Sequence, residues 1–321
     1  MPTPAPDLES GSSNPTKTGT VSMRETEIIA RIKALAGKTK SRRLLTGIGD
    51  DCAIFRPRPG EDLVFTTDLT IQGRHFQLDS HTAADVGHLA LARSLSDLAA
   101  MGAEPAFCLV SLALPAELST AWLKRFYIGL FALARKSDIA LAGGDLSRFH
   151  QVVVDVMCCG RVPRGKALTR SGAKPGDVIY VTGSLGASEL GLEIRPGVAW
   201  KRHLRPQPRL AVGIALRKIP ATAAMDLSDG LSLDLHRLCF ESGVSAQLDE
   251  AIPVAAGASL EQALHGGEDY ELLFTASPKS SVPSRIDELS ITRIGEIKRG
   301  KPGSVRFGKH ILKPLAFDHF S

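Results

Sequence analysis

The chain has 321 residues, 43% hydrophobic and 23% charged, with 30 Gly and 19 Pro. This composition excludes a disordered protein, a collagen and a coiled coil, and the length predicts two domains. No uncharged apolar run reaches the roughly 18 residues of a membrane span. Five cysteines without a CxxC pair argue against zinc and predict a reducing compartment, the cytoplasm. The net charge of +5 leaves room for an anionic partner: nucleic acid, a membrane surface or a phosphate-bearing small molecule.

Residues 1–22, rich in Pro, Ser, Thr and Gly, predict a disordered tail, or a stretch upstream of a true start at Met23. Residues 24–36 predict a short amphipathic helix with Ile28, Ile29, Ile32 and Leu35 on one side. Residues 24–43 hold seven basic residues against Glu25 and Glu27, an excess equal to the whole net charge. No Phe, Tyr or Trp interleaves them, which counts against nucleic acid as a partner and favours a solvated helix and loop. A strand is expected over 63–67 and a helix over 82–100, with Thr82 and Asp85 spaced as a capping box and Gly102 at the C′ position. There follow a strand at 107–113, a helix at 120–136, and strands at 139–142 and 152–157. The Gly-, Pro- and Arg-rich stretch 159–176 marks a boundary between domains at 23–160 and 161–321. Beyond it the pattern predicts a strand at 178–182, helices at 186–193, 209–217 and 231–241, and a strand at 271–275. The rhythm is α+β rather than a strict βαβ wind.

Acidic residues occupy positions where a purely structural chain would not place them. Asp51 lies in GIGDD, Asp68 in FTTDL, Asp145 in LAGGD, and Asp226 and Asp229 in MDLSDGL. A lone Asp in a glycine turn is ordinarily a turn residue. Asp97 is more telling, because it borders the Leu91, Leu95 and Leu98 stripe of an apolar helix, where an unpaired carboxylate is costly. Two carboxylates about 5 Å apart repel by roughly 3 kcal/mol at an effective dielectric near 20. Such groups could converge only around divalent cations, and oxygen donors without His or Cys point to Mg²⁺. Thr66, Thr67 and Ser228 could complete the coordination.

Mg²⁺ chiefly holds phosphates, yet the usual phosphate loops are missing. Residues 160–167 approach a Walker A pattern but place Ala167 where Ser or Thr is needed, and Pro163 removes a backbone donor. No GxGxxG follows a strand, and there is no GxSxG elbow or nucleophile–base pair. Cys158, Cys159 and Trp122 fit core positions, and His75 follows the Asp68 strand.

Taken in order, GIGDDCA (47–53), TTD (66–68), HF (75–76), SLSDLAAMGAEP (94–105), GGD (143–145), ALTRSGAKPGD (167–177), DLSDGL (226–231), GGEDYEL (266–272) and DHF (318–320) resemble the thiamine-monophosphate kinase family. That family shares the PurM-like superfamily with aminoimidazole ribonucleotide and selenophosphate synthetases. The resemblance implies a two-domain α+β fold: an N-terminal mixed sheet with helices, a C-terminal α+β domain, and a homodimer formed by pairing the N-terminal sheets. It implies transfer of the γ-phosphoryl group of ATP to thiamine monophosphate with several Mg²⁺ ions, in a cleft between the domains. By motif match Asp51, Thr66, Thr67, Asp68, Asp97, Asp145 and Asp226 would bind metal, with Asp229 serving a further ion. Gly144, Asp145, Arg170 and Ser228 would contact ATP, and Asp97, Asp145 and Arg170 would carry catalysis. His75, Glu268 and Phe317 would contact thiamine. Leu146-Ser147 stands where the family often has Thr-Thr, and Gln72 and Arg74 frame Gly73 where an acid is common. Selenophosphate synthetases usually carry an N-terminal Cys or selenocysteine, and residues 1–46 contain no cysteine. Aminoimidazole ribonucleotide synthesis would not predict GGEDYEL.

Overall fold

The computed structural model describes residues 25–37 and 41–315. The expected tail at 1–22 and the thiamine-contacting Phe317 lie outside the described residues. Helix α1 (Glu25–Ala36) precedes a small hairpin of β1 (Leu44–Thr46) and β2 (Ile54–Phe55). Part of the basic run is neutralised here, since Arg43 Nη1 donates to both carboxylate oxygens of Glu61 at 3.0 and 2.7 Å.

The first large unit comprises β3 (Glu61–Ile71), α2 (Ala83–Ala100), β4 (Glu104–Leu114), α3 (Thr120–Lys136), β5 (Ala140–Arg148) and β6 (Val153–Pro163). Its strands run in the order β3-β6-β4-β5, with only β4 and β5 parallel. One sheet face packs under α2 and α3 around Leu91, Leu95, Val110, Phe126 and Val156. Strand alternation therefore points Thr66, Asp68 and Thr70 towards α2, and leaves Phe65, Thr67 and Leu69 on the exposed face.

Helix α2 is fixed at both ends by the residues that predict it. Thr82 Oγ1 accepts from Asp85 N, and the Asp85 carboxylate accepts from Thr82 N, each at 3.2 Å. Gly102 adopts φ 64° just past the C-cap. Helices α2 and α3 meet backbone to backbone, because a Cβ on Gly129 would stand 1.9 Å from the Ala84 carbonyl oxygen. Strand β6 runs on past residue 160 to Pro163, so the near-Walker stretch is strand and turn.

The second unit follows the crossing at 164–177. It contains β7 (Val178–Thr182), α4 (Ala187–Glu193), α5 (Val198–Leu204), α6 (Leu210–Lys218), β8 (Ala223–Asp226), α7 (Leu231–Glu241) and β9 (Ser245–Leu248). It is completed by α8 (Leu260–His265), β10 (Leu272–Ala276), β11 (Arg285–Ile286), β12 (Leu289–Lys298), β13 (Val305–Phe307) and β14 (His310–Ile311). The sheet order is β14-β13-β9-β12-β7-β10-β8, with β11 attached to β12. The expected α+β architecture is present. Helix α2 belongs to both units: Ala99 and Ala100 share a core with Val212, Leu216, Ala224 and Phe274. A Cβ on Gly213 of α6 would lie 1.9 Å from the Ala99 carbonyl oxygen. Among the described residues no helix is long and apolar enough to cross a membrane.

Candidate active site

A cleft of about 360 Å³ opens where α2 meets the second unit. The first unit contributes Asp68 at the α2-facing side of β3, His75 after that strand, and Arg93 and Asp97 from α2. The second contributes Asp226 at the end of β8, then Ser228, Asp229 and Glu268. Thr66 Oγ1 donates to Asp97 Oδ2. Ser96 Oγ donates to Asp226 Oδ2 at 2.6 Å, so neighbouring residues of α2 tie the helix to both units, Asp97 by accepting from β3 and Ser96 by donating to the end of β8. Asp229 is held by Arg237 Nη1, which also donates to Asp234 Oδ1 at 3.1 Å.

These acids repel one another. Burial, followed by the charge of Asp97, pushes Asp68 up to about 6 despite the attraction of Arg93. Burial and then Asp97 push Asp226 up to about 7, against the Ser96 bond and the charge of Arg170. Glu268 is also raised by burial, although Arg93 opposes this. It adopts φ 62°, and its N–H donates to Ser228 O at 2.8 Å, which fixes the loop across the cleft. His75 Nδ1 accepts from Ile71 N at 3.0 Å, so the ring is tied to the end of β3.

The structure does not gather every residue of the expected set in this cleft. Asp51, Gly144 and Asp145 line a separate groove of about 710 Å³ beside β5. Gly144 has φ 150°, and a Cβ there would lie 1.8 Å from Val110 O, so bare backbone is required. Thr67 points to the open sheet face, where its hydroxyl donates to Asp155 Oδ1 at 2.5 Å. Asp155 pairs across the ladder with Ser111, and Ser111 with Asp145. This row extends an oxygen-rich strip from β3 towards the second groove. Arg170 is exposed on the segment joining the units. Leu146 packs on the core, and Gln72 Oε1 accepts from Val152 N at 3.0 Å, so neither departure from the family pattern disturbs the local backbone.

Sequence reasoning missed Arg93, Asp155 and Tyr270. Arg93 was visible as a lone cation in an apolar helix, and Asp155 as a lone acid in the run 152–157. Tyr270 carried no comparable signal.

Oxygen donors with unrelieved mutual repulsion suit a hard divalent cation. Among the described residues, no three Asp, Glu, His or Cys donors already close on one point. That fits Mg²⁺, which commonly takes one or two carboxylates and completes its shell with water and substrate phosphates, better than an ion held in an all-protein cage. Among the described residues no cysteine lines this cleft, and the exposed Cys52 lies in the groove beside β5. Cys108, Cys158, Cys159 and Cys239 are buried, and burial pushes the Cys108 and Cys239 thiols up to about 12.

Over residues 49–162 the chain matches the family described as AIR synthase related protein, N-terminal domain, and over 174–308 its C-terminal counterpart. The thiamine-monophosphate kinase of Salmonella typhimurium is 41% identical over 303 residues, which is 86% of this chain and 92% of that protein. The crystal structure of thiamine-monophosphate kinase from Stenotrophomonas maltophilia K279a superposes with a TM-score of 0.78 at 37% identity, covering 91% and 98% of the two chains. The structure of AaThiL complexed with AMPPCP and TMP superposes with a TM-score of 0.75 at 31% identity, covering 94% and 100%.

Proposed function

The chain belongs to the thiamine-monophosphate kinase family, and we propose that it transfers the γ-phosphoryl group of ATP directly to thiamine monophosphate, giving thiamine diphosphate and ADP. The observation that carries this is the cleft in which carboxylates from β3, α2 and β8 crowd together beside Arg93 and Glu268. A relative of the same fold is complexed with AMPPCP and TMP.

The chemistry explains why no nucleophile–base pair is needed. The substrate phosphate has a second pKa near ~6 and is largely dianionic at neutral pH. One of its oxygens attacks the γ-phosphorus of ATP. The bond from that phosphorus to the bridging oxygen breaks, and ADP leaves with the electron pair. No proton has to move. What remains is bringing two anions together in line.

Asp51, Thr66, Thr67, Asp68, Asp97, Asp145 and Asp226 would hold Mg²⁺ in this reading, with Asp229 serving a further ion. When bound, Mg²⁺ supplies charge neutralisation at the reacting phosphates. Gly144 offers unobstructed backbone to ATP, and Asp145, Arg170 and Ser228 meet its phosphates. Asp97, Asp145 and Arg170 carry most of the catalytic effect. His75 and Glu268 meet the thiamine moiety, and Phe317 stacks on it. The active form is a homodimer closed through the open sheet face, a reading supported by Phe65 and Leu69, which are 62% and 50% exposed there. The enzyme is cytoplasmic, in keeping with five unpaired cysteines.

The test is ADP release with magnesium and ATP across a panel of acceptors. Release that requires thiamine monophosphate is expected. Release with free thiamine but not its monophosphate would exclude the reading.

A further inference from the structure

Arg93 is the one cation on the cleft-facing side of α2, one turn before Asp97. Six carboxylates line the cleft, against the guanidinium groups of Arg93 and Arg74, and Arg74 is exposed. The side chain of Arg93 is only 13% exposed. Its Nη1 donates to Glu268 Oε1 at 2.9 Å, and its Nη2 stands 3.8 Å from Asp68 Oδ1, beyond hydrogen-bond reach. Its Nε is buried and has no partner among the described residues. A buried guanidinium that leaves donors unused is costly, and its planar fork suits a phosphate.

Resting on the kinase reading above, we propose that Arg93 is the residue that receives the phosphate of thiamine monophosphate and sets the preference for it over free thiamine. The substrate carries both signs, a cationic thiazolium and an anionic phosphate. On entry it exchanges the single Arg93–Glu268 pair for two pairs, phosphate on Arg93 and thiazolium on Glu268. Free thiamine can make only the second, which leaves Arg93 with Asp68 alone, 3.8 Å away and beyond hydrogen-bond reach. The same fork, anchored one helical turn from Asp97, turns an acceptor oxygen towards the carboxylate cluster and the γ-phosphate.

The test is steady-state kinetics of the full-length enzyme, wild type against Arg93→Gln and Arg93→Lys, with free thiamine as an inhibitor competing with the monophosphate. Arg93→Gln is expected to raise KM for thiamine monophosphate about tenfold to a hundredfold and to leave KM for ATP unchanged, while the inhibition constant of free thiamine falls, because Glu268 no longer has an Arg93 pair to give up. Arg93→Lys keeps the charge and is expected to recover part of the loss. If KM for the monophosphate and the inhibition constant of thiamine rise together, Arg93 acts only by shaping Glu268, and the proposal is overturned. Unchanged KM in a folded Arg93→Gln overturns it too, while the kinase reading stands. A wild-type enzyme that releases no ADP with thiamine monophosphate overturns the kinase reading itself, and this proposal with it.

Discussion

Asp97→Asn removes one negative charge from between Asp68 and Asp226 and keeps an oxygen to which Thr66 can donate. After burial, Asp97 is the largest cause holding Asp68 at about 6 and Asp226 at about 7. Unit charges about 6 Å apart repel by about 3 kcal/mol at an effective dielectric near 20. Asp97 is half-buried and partly screened by water, so about 1 kcal/mol is recovered. The magnesium-free variant is therefore expected to melt about 1–2 °C above the magnesium-free wild type near pH 8, where both neighbours are ionised. Turnover is expected to fall about 100-fold or more, because the charge that destabilises the resting fold is the one proposed to hold the cations. Thermal unfolding with EDTA and with magnesium, alongside ADP release, measures both effects. Magnesium should raise the melting temperature of the wild type more than that of the variant. A lower melting temperature for the metal-free variant, or near-normal turnover, would refute the reasoning.

Gly129→Ala drives a Cβ to within 1.9 Å of Ala84 O and separates α3 from α2. It should cost about 1–3 kcal/mol or more and lower kcat, because α2 carries Arg93, Ser96 and Asp97; thermal unfolding and kinetics measure both. His203 is buried, and burial, with His81 and Arg195, lowers it to about 4 from 6.5. The fold must therefore exclude a proton that the unfolded chain binds, so this contribution is intact above about pH 6.5 and is lost as pH falls towards 4. Relative to His203→Gln, the wild type should lose about 3 kcal/mol over that window. Urea titrations of the pair isolate this term from buried Asp269, which is raised to about 6 and acts in the opposite direction. Phe65→Glu should convert a dimer to a monomer in sedimentation; an unchanged sedimentation coefficient would move the interface elsewhere.

Local grammar made part of this architecture legible before the structure. The reciprocal Thr82–Asp85 bonds and Gly102 delimit α2, and the apolar spacing of 120–136 coincides with α3. Strands were found where β-branched residues cluster, but the edges of β4, β5 and β6 extended beyond the pattern, because ladder pairing carries Glu104, Arg148 and Pro163 into the sheet. Strand β8 escaped notice because AAMD is short and buried throughout, with neither alternation nor β-branching. Helix α5 did too, because it follows the Pro196-Gly197 break as only seven residues. At the site, Asp97 was identifiable as a charge out of place on an apolar helix. Its partners were not, since Ser96 reaches Asp226 across 130 positions of chain and Arg93 reaches Glu268 across 175. The division of the carboxylates between two grooves likewise depends on which face of β3 and which end of β5 each residue occupies.

The most direct measurement follows the label from ATP carrying radioactive phosphorus in its γ-phosphate, incubated with the enzyme, magnesium and thiamine monophosphate. Direct transfer puts the label in the terminal phosphate of thiamine diphosphate, one equivalent per ADP formed, and leaves free thiamine unlabelled when it is offered instead. Label appearing only as inorganic phosphate, or on free thiamine, would contradict it.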